Sequence, residues 1–170
     1  PVHDAEGAIL AHSIKHADGV FKKGRVLSSD DIRVLTKSGV TSVFAAKLSP
    51  DDIPEDEAAA AIARVIGAVG TVAQAPFTGR ANLHAATRGL AIIDAERVRA
   101  LNRLHESLTL ATVAPFAIVE RREMVATVKV IPFAVPRAVL DHCLLYTSDA
   151  ADDLLCVDLG GRGIITKKIN

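Results

Sequence analysis

The chain has 170 residues, of which 49% are hydrophobic and 24% charged, and 20 Lys and Arg balance 20 Asp and Glu. That length suits one domain, or one domain with an appendage, and zero net charge gives no bulk attraction to nucleic acid or anionic lipid. No apolar run nears the ~18–20 residues that span a bilayer, and PVHDAEGAIL lacks the basic flank of a signal peptide, so a cytoplasmic protein without membrane or nucleic-acid partners is expected.

In chain order, AILAHSIKHADGVF reads as a β region with Ala17-Asp18-Gly19 as its turn. A second turn at Lys23-Gly24 leads to the short strand Arg25-Val26-Leu27. SSDDIRVLTKSG then predicts a helix, with Ser28 or Ser29 as cap, Asp30 and Asp31 at its positive end, and Gly39 as its stop. TSVFAAKL follows as a strand, and DDIPEDEAAAAIARVIGAVG predicts a second helix from Pro54, with acidic residues in its first turn.

QAPFTGRANLHAATRG reads as a loop with short extended pieces, and GLAII as a buried strand. Asp94 caps a third helix, AERVRALNRLH, with His105 or Leu104 on its inner side. LTLATV, FAIVE and MVATVKVIPF are three further strands, the last two joined by a hairpin with the charged tip Glu120-Arg121-Arg122-Glu123. The sum is an α+β fold of short, mostly antiparallel strands, partly barrel-like, with about three helices. Residues 1–142 are expected to form the domain, with subregions 1–50 and 71–136 joined by the helix 54–66.

The chemistry is sparse. His12 and His16 are four apart, with His3 upstream, but no further Cys or carboxylate completes a zinc set, so no metal site is expected. FTGRANLH is the most ligand-like stretch: Thr78, Gly79, Arg80, Asn82 and His84 place donors together, and Arg80 can fork onto a phosphate or carboxylate. The competing reading is a turn that satisfies its own backbone. Lys22, Lys23 and Arg25 around Gly24 form a cationic turn, either an anion contact or a solvated tip. Lys129 interrupts an apolar strand, from a sheet edge or into a site. No nucleophile–base pair accompanies these residues, so no catalytic residue is assigned.

DAEGAILAHS, FKKGRVLSSDDI, EDEAAAAIA, APFTGRANLHA, LNRLHESLTLATV and MVATVKVIPFAVP resemble the N-terminal region of bacterial MoeA-like molybdopterin-binding proteins. Such proteins are often fused to a nucleotidyltransferase of the molybdenum-cofactor cytidylyltransferase type. The resemblance implies molybdenum-cofactor maturation, with molybdopterin or molybdenum cofactor as ligand. The parent would be a molybdopterin molybdenumtransferase-like or cytidylyltransferase-fusion enzyme whose further domains are partners, and this part would be inactive alone. The alternative is a purely structural or homodimerising module.

Residues 143–170 resemble something else. CLLYTSDAAD looks like the translated transposase end of a sequencing-library tag, and VDLGGRGII like the flow-cell adapter beyond it. The resemblance implies a truncated, metagenomic reading frame cut near His142, and a tail that is disordered or forms a spurious strand through LLCVDLGG. It removes Cys143, Tyr146, Cys156 and the DLGGRG loop from any site.

Overall fold

The computed structural model describes residues 1–148 and 154–158, and the chain divides into two compact units at Asp52/Ile53. Of the DLGGRG loop, residues 159–163 lie outside the described residues.

In the first unit, a 3-10 turn (Val2–Asp4) precedes β1 (Ile9–Leu10), β2 (Ile14–His16) and β3 (Gly19–Phe21). β2 and β3 form the antiparallel hairpin expected from Ala17-Asp18-Gly19. The helix α1 (Ser29–Lys37) begins with a capping box: Ser28 Oγ accepts from the Asp31 amide and Asp31 Oδ2 accepts from the Ser28 amide. The strand expected from TSVFAAKL is only the two-residue β4 (Ala45–Ala46), paired with β1. Val2, Ala5, Ala8, Leu10, Leu27 and Leu35 fill this unit's core.

The second unit opens with β5 (Asp52–Pro54), whose Ile53 and Pro54 belong to it, and α2 (Glu55–Ile66). β6 (Thr71–Ala73), β7 (Arg80–Ala85), β8 (Gly89–Ile93), α3 (Ala95–Leu104), β9 (Leu108–Thr112), β10 (Ile118–Val119) and β11 (Met124–Val130) follow, then β12 (Ala134–Pro136), α4 (Arg137–Ser148) and β13 (Leu155–Asp158). The main sheet is antiparallel in the order β6-β7-β11-β9, and a second has the order β10-β8-β13. β5 pairs with β12. Helix α2 lays Ala58, Ile62 and Ile66 on β7 and β11, where alanines permit close approach. Asp94 caps α3 by accepting from the Arg97 amide, and His105 has left the helix for an extended conformation.

The mixed α+β class stands, with open sheets: among the described residues none closes into a barrel. Further details differ from the sequence reading, and Arg25-Val26-Leu27 makes only an isolated bridge from Val26 to Ile9 rather than a strand. QAPFTGRANLHAATRG is not chiefly loop, because it contains β7, an inner strand of the main sheet. The segment 120–123 is not a hairpin tip, since β10 pairs with β8 while β11 pairs with β7 and β9, so the turn links two sheets. A fourth helix, α4, runs through Cys143 and buries Leu140 and Cys143 against α2 and α3. The strand β13 is likewise packed, with Leu155 and Val157 in the core.

One side chain finishes an edge. Asn102 of α3 accepts from the Leu110 amide at 2.7 Å and donates to the Leu110 carbonyl at 2.8 Å.

Candidate functional site

The strand β7 distributes the residues of FTGRANLH. Its alternation puts Ala81, Leu83 and Ala85 into the core and Arg80, Asn82 and His84 on the other face. On that face β11 sets Thr127 opposite Asn82 and Lys129 opposite Arg80. Arg80 and His84 are roughly 13 Å apart along the strand, too far for one phosphate group to bridge.

Thr78 and Gly79 form the tight turn before β7, both with positive φ, 48° and 69°. Phe77 and Arg80 exchange backbone hydrogen bonds across it, the two-residue pattern of a primed turn. Three of its main-chain polar groups are engaged by the surrounding protein. The Gly79 amide donates to Asp56 Oδ1 at 2.7 Å, the Gly79 carbonyl accepts from the Val130 amide at 2.7 Å, and the Thr78 carbonyl accepts from Lys129 Nζ at 3.1 Å. Glu55 also borders Gly79. Two carboxylates at this turn make it a poor anion cradle, and Lys129 serves to hold it.

The cationic turn lies in the first unit. Arg25 is committed to Asp31, with Nε to Oδ2 and Nη2 to Oδ1 both 2.9 Å, and its guanidinium lies 4.6 Å from the Phe21 ring centroid. The Arg25 hydrogen bonds, aided by those from Ser28, hold the Asp31 carboxyl below the usual carboxylate range. Arg25 therefore secures the start of α1. The Lys23 amide donates to Ser13 Oγ, and Lys22 is exposed. His16 stacks at a tilt on Phe21 and His12 meets Phe44 edge-on. Among the described residues no group of three His, Cys, Asp or Glu is placed to hold a metal.

At the other end of β7, His84 borders a cleft of about 490 Å³ with Val72, Gln74, Arg121 and Arg122, a size that suits a small molecule. Sequence reasoning assigned His84 but not Gln74, Arg121 or Arg122. The pattern Glu-Arg-Arg-Glu was visible, but its setting against β7 was not.

The turn that carries the arginines is built to present them. Glu123 Oε2 accepts from the Glu120 amide at 2.8 Å, and the Glu123 amide donates back to the Glu120 carbonyl at 3.0 Å. Arg88 Nε donates to Glu120 Oε1 at 2.8 Å. Arg122 adopts φ 70°, rare for a residue with a side chain. Its amide donates to the Ala85 carbonyl and the Ala85 amide donates to the Glu123 carbonyl, at 2.8 and 2.9 Å. Both glutamates are thus occupied with the turn, while both arginines line the cleft. His84 Nδ1 is buried, with no hydrogen-bond partner among the described residues. Two guanidinium forks, an imidazole and the Gln74 amide suit a phosphate or carboxylate attached to a small body resting on Val72.

Residues 1–47 match the family model described as Domain of unknown function (DUF8806). The match stays inside the first unit and includes none of the cleft residues. Neither among curated proteins nor among solved structures does any match the chain. Among the described residues no helix is long and apolar enough to cross a membrane.

Proposed function

We propose that the second unit is a non-catalytic binding module for a small ligand bearing a phosphate or a similar anion. The observation that carries this reading is the presentation of Arg121 and Arg122 into one cleft beside His84, with Glu120 and Glu123 tied into the turn. The sequence resemblance suggests the ligand: the phosphate of molybdopterin, held during molybdenum-cofactor maturation. A pterin ring would rest against Val72 and the His84 imidazole while its phosphate meets the arginines.

Calorimetric titration of the full chain with a pterin phosphate ester, with inorganic phosphate as control, tests this. Saturable binding that weakens at least tenfold in Arg121→Ala/Arg122→Ala and falls with added salt is expected. No saturable binding, or binding unchanged by that variant, overturns it.

A structural or dimerising role is the second reading. It is favoured by β10, an edge strand that exposes Ile118 beside the equally exposed Phe116, whose φ is 64°. Sedimentation at rising concentration tests it: a dimer dispersed by Phe116→Ser/Ile118→Ser supports it, and a monomer at all concentrations rejects it.

A further inference from the structure

A second hollow lies beside the anion cleft. It measures about 150 Å³ and is bordered by Ala111, Thr112 and Val113 on one side and by Met124 and Thr127 on the other. Its lining carries no charged side chain, whereas the cleft presents Arg121, Arg122, His84 and Gln74.

A β-bulge in β11 makes the two depressions neighbours. Met124 faces His84 while Ala126 faces Leu83, so two steps along β11 match one along β7. In a regular strand Met124 and Ala126 would share a face. The bulge instead sends Ala126 inward with Leu83 and turns Met124 outward with His84. Val125, the residue between, is buried, and its carbonyl accepts from the Val113 amide at 3.0 Å, which ties down the rim of the hollow. The cross-strand pair is therefore a shared wall: His84 borders the cleft and Met124 borders the hollow.

The walls belong to one face of the main sheet. Thr127 stands opposite Asn82 on β7 and opposite the exposed Ala111 on β9, while α2 packs on the reverse face. Across the order β6-β7-β11-β9 this face reads Val72, His84, Met124 and Ala111, a width of roughly 14 Å at about 4.8 Å per strand. Met124 is 48% exposed, and a flexible thioether at such a border makes favourable contact with an aromatic ring. The volume of the hollow is on the order of that which takes one benzene-sized ring.

From this we infer that the hollow is a second subsite of the anion cleft, and that the ligand is an organic phosphate whose ring-sized apolar group reaches across Met124 into it. The arginines hold the anion, and the hollow selects what the anion is attached to. The inference rests on the anion reading of the cleft.

The chain has a single methionine, so an isotope-labelled methionine methyl gives one magnetic resonance signal that reports on the shared wall. The test titrates the full chain with methyl phosphate and with phenylalkyl phosphates of increasing linker length. At least one phenylalkyl ester is expected to bind tenfold or more tightly than methyl phosphate and to move the Met124 methyl signal upfield by its ring current, which methyl phosphate does not. Ala111→Phe, an aromatic residue at an exposed strand position that suits it, fills the hollow. It is expected to abolish the gain and leave methyl phosphate affinity unchanged. Should that variant fail to fold, Ala111→Leu replaces it. Phenylalkyl esters that bind no more tightly than methyl phosphate, an unmoved Met124 signal, or a gain that persists in the filled variant overturns the subsite while the anion reading stands. Absence of binding by every ester overturns both.

Discussion

The amide of Arg122 donates to the carbonyl of Ala85 at 2.8 Å, fastening a left-handed residue of the connecting turn to the end of β7. A backbone in that region costs an L-residue about 1 kcal/mol, so the arginine holds its position against local preference. Arg122→Gly should relieve that strain and leave thermal stability unchanged or raised by up to about 1 kcal/mol. The same change should weaken phosphate-ester binding at least tenfold. Paired calorimetry and thermal unfolding check this, and joint loss of stability and binding would contradict it.

Gly79 tests the opposite end of the strand. A Cβ there would lie 2.7 Å from the Val130 carbonyl oxygen and 2.9 Å from Glu55 Oε2, at φ 69°. Gly79→Ala should therefore destabilise the second unit by roughly 2 kcal/mol, with ligand affinity preserved in the folded fraction. Asp56→Ala, which removes the acceptor for the Gly79 amide, should cost about 1 kcal/mol. Denaturant titration measures both.

The Arg25–Asp31 pair fixes a pH dependence for the first unit. Hydrogen bonds from Arg25 depress the folded-state pKa of Asp31 below its unfolded value. The unfolded chain then binds this proton more readily, so the contribution is full above the unfolded carboxylate range near about pH 4 and disappears as pH falls through the folded-state value. Asp31→Asn should lose the charged pair, weaken α1 at neutral pH only modestly because Arg25 is solvent-screened, and flatten that acid dependence. Unfolding measured from pH 7 down to pH 2 distinguishes the two proteins.

Cys143 is 1% exposed, and burial raises its thiol pKa. It should react with a thiol reagent at neutral pH at least roughly tenfold more slowly than the partly exposed Cys156, because the attacking thiolate is both scarce and shielded. Equal rates in the folded protein would show that α4 opens readily.

Much of the fold was readable because local signals agreed with packing. The caps at Ser28 and Asp94, the acidic first turn of α2 and the alternation in β11 each had a local cause. β7 was obscured by Thr-Gly, read as loop, although Arg-Ala-Asn-Leu-His-Ala alternates with the period of a strand. The cleft was less legible. Arg121 lines the same cleft as His84 because β11 pairs with β7, a non-local relation that no window of sequence contains. Arg25 misled for the same kind of reason: its charge was visible, but its engagement by Asp31 was a matter of three-dimensional placement.

The two hydrogen bonds between Asn102 and Leu110 have a consequence for assembly. β9 is an outer strand of the main sheet, and a carboxamide matches a peptide group in shape and polarity. Asn102 therefore imitates one rung of a neighbouring strand and uses up the donor and acceptor that an incoming chain would need at Leu110. At that rung the β9 edge of the main sheet is closed to pairing with an incoming strand.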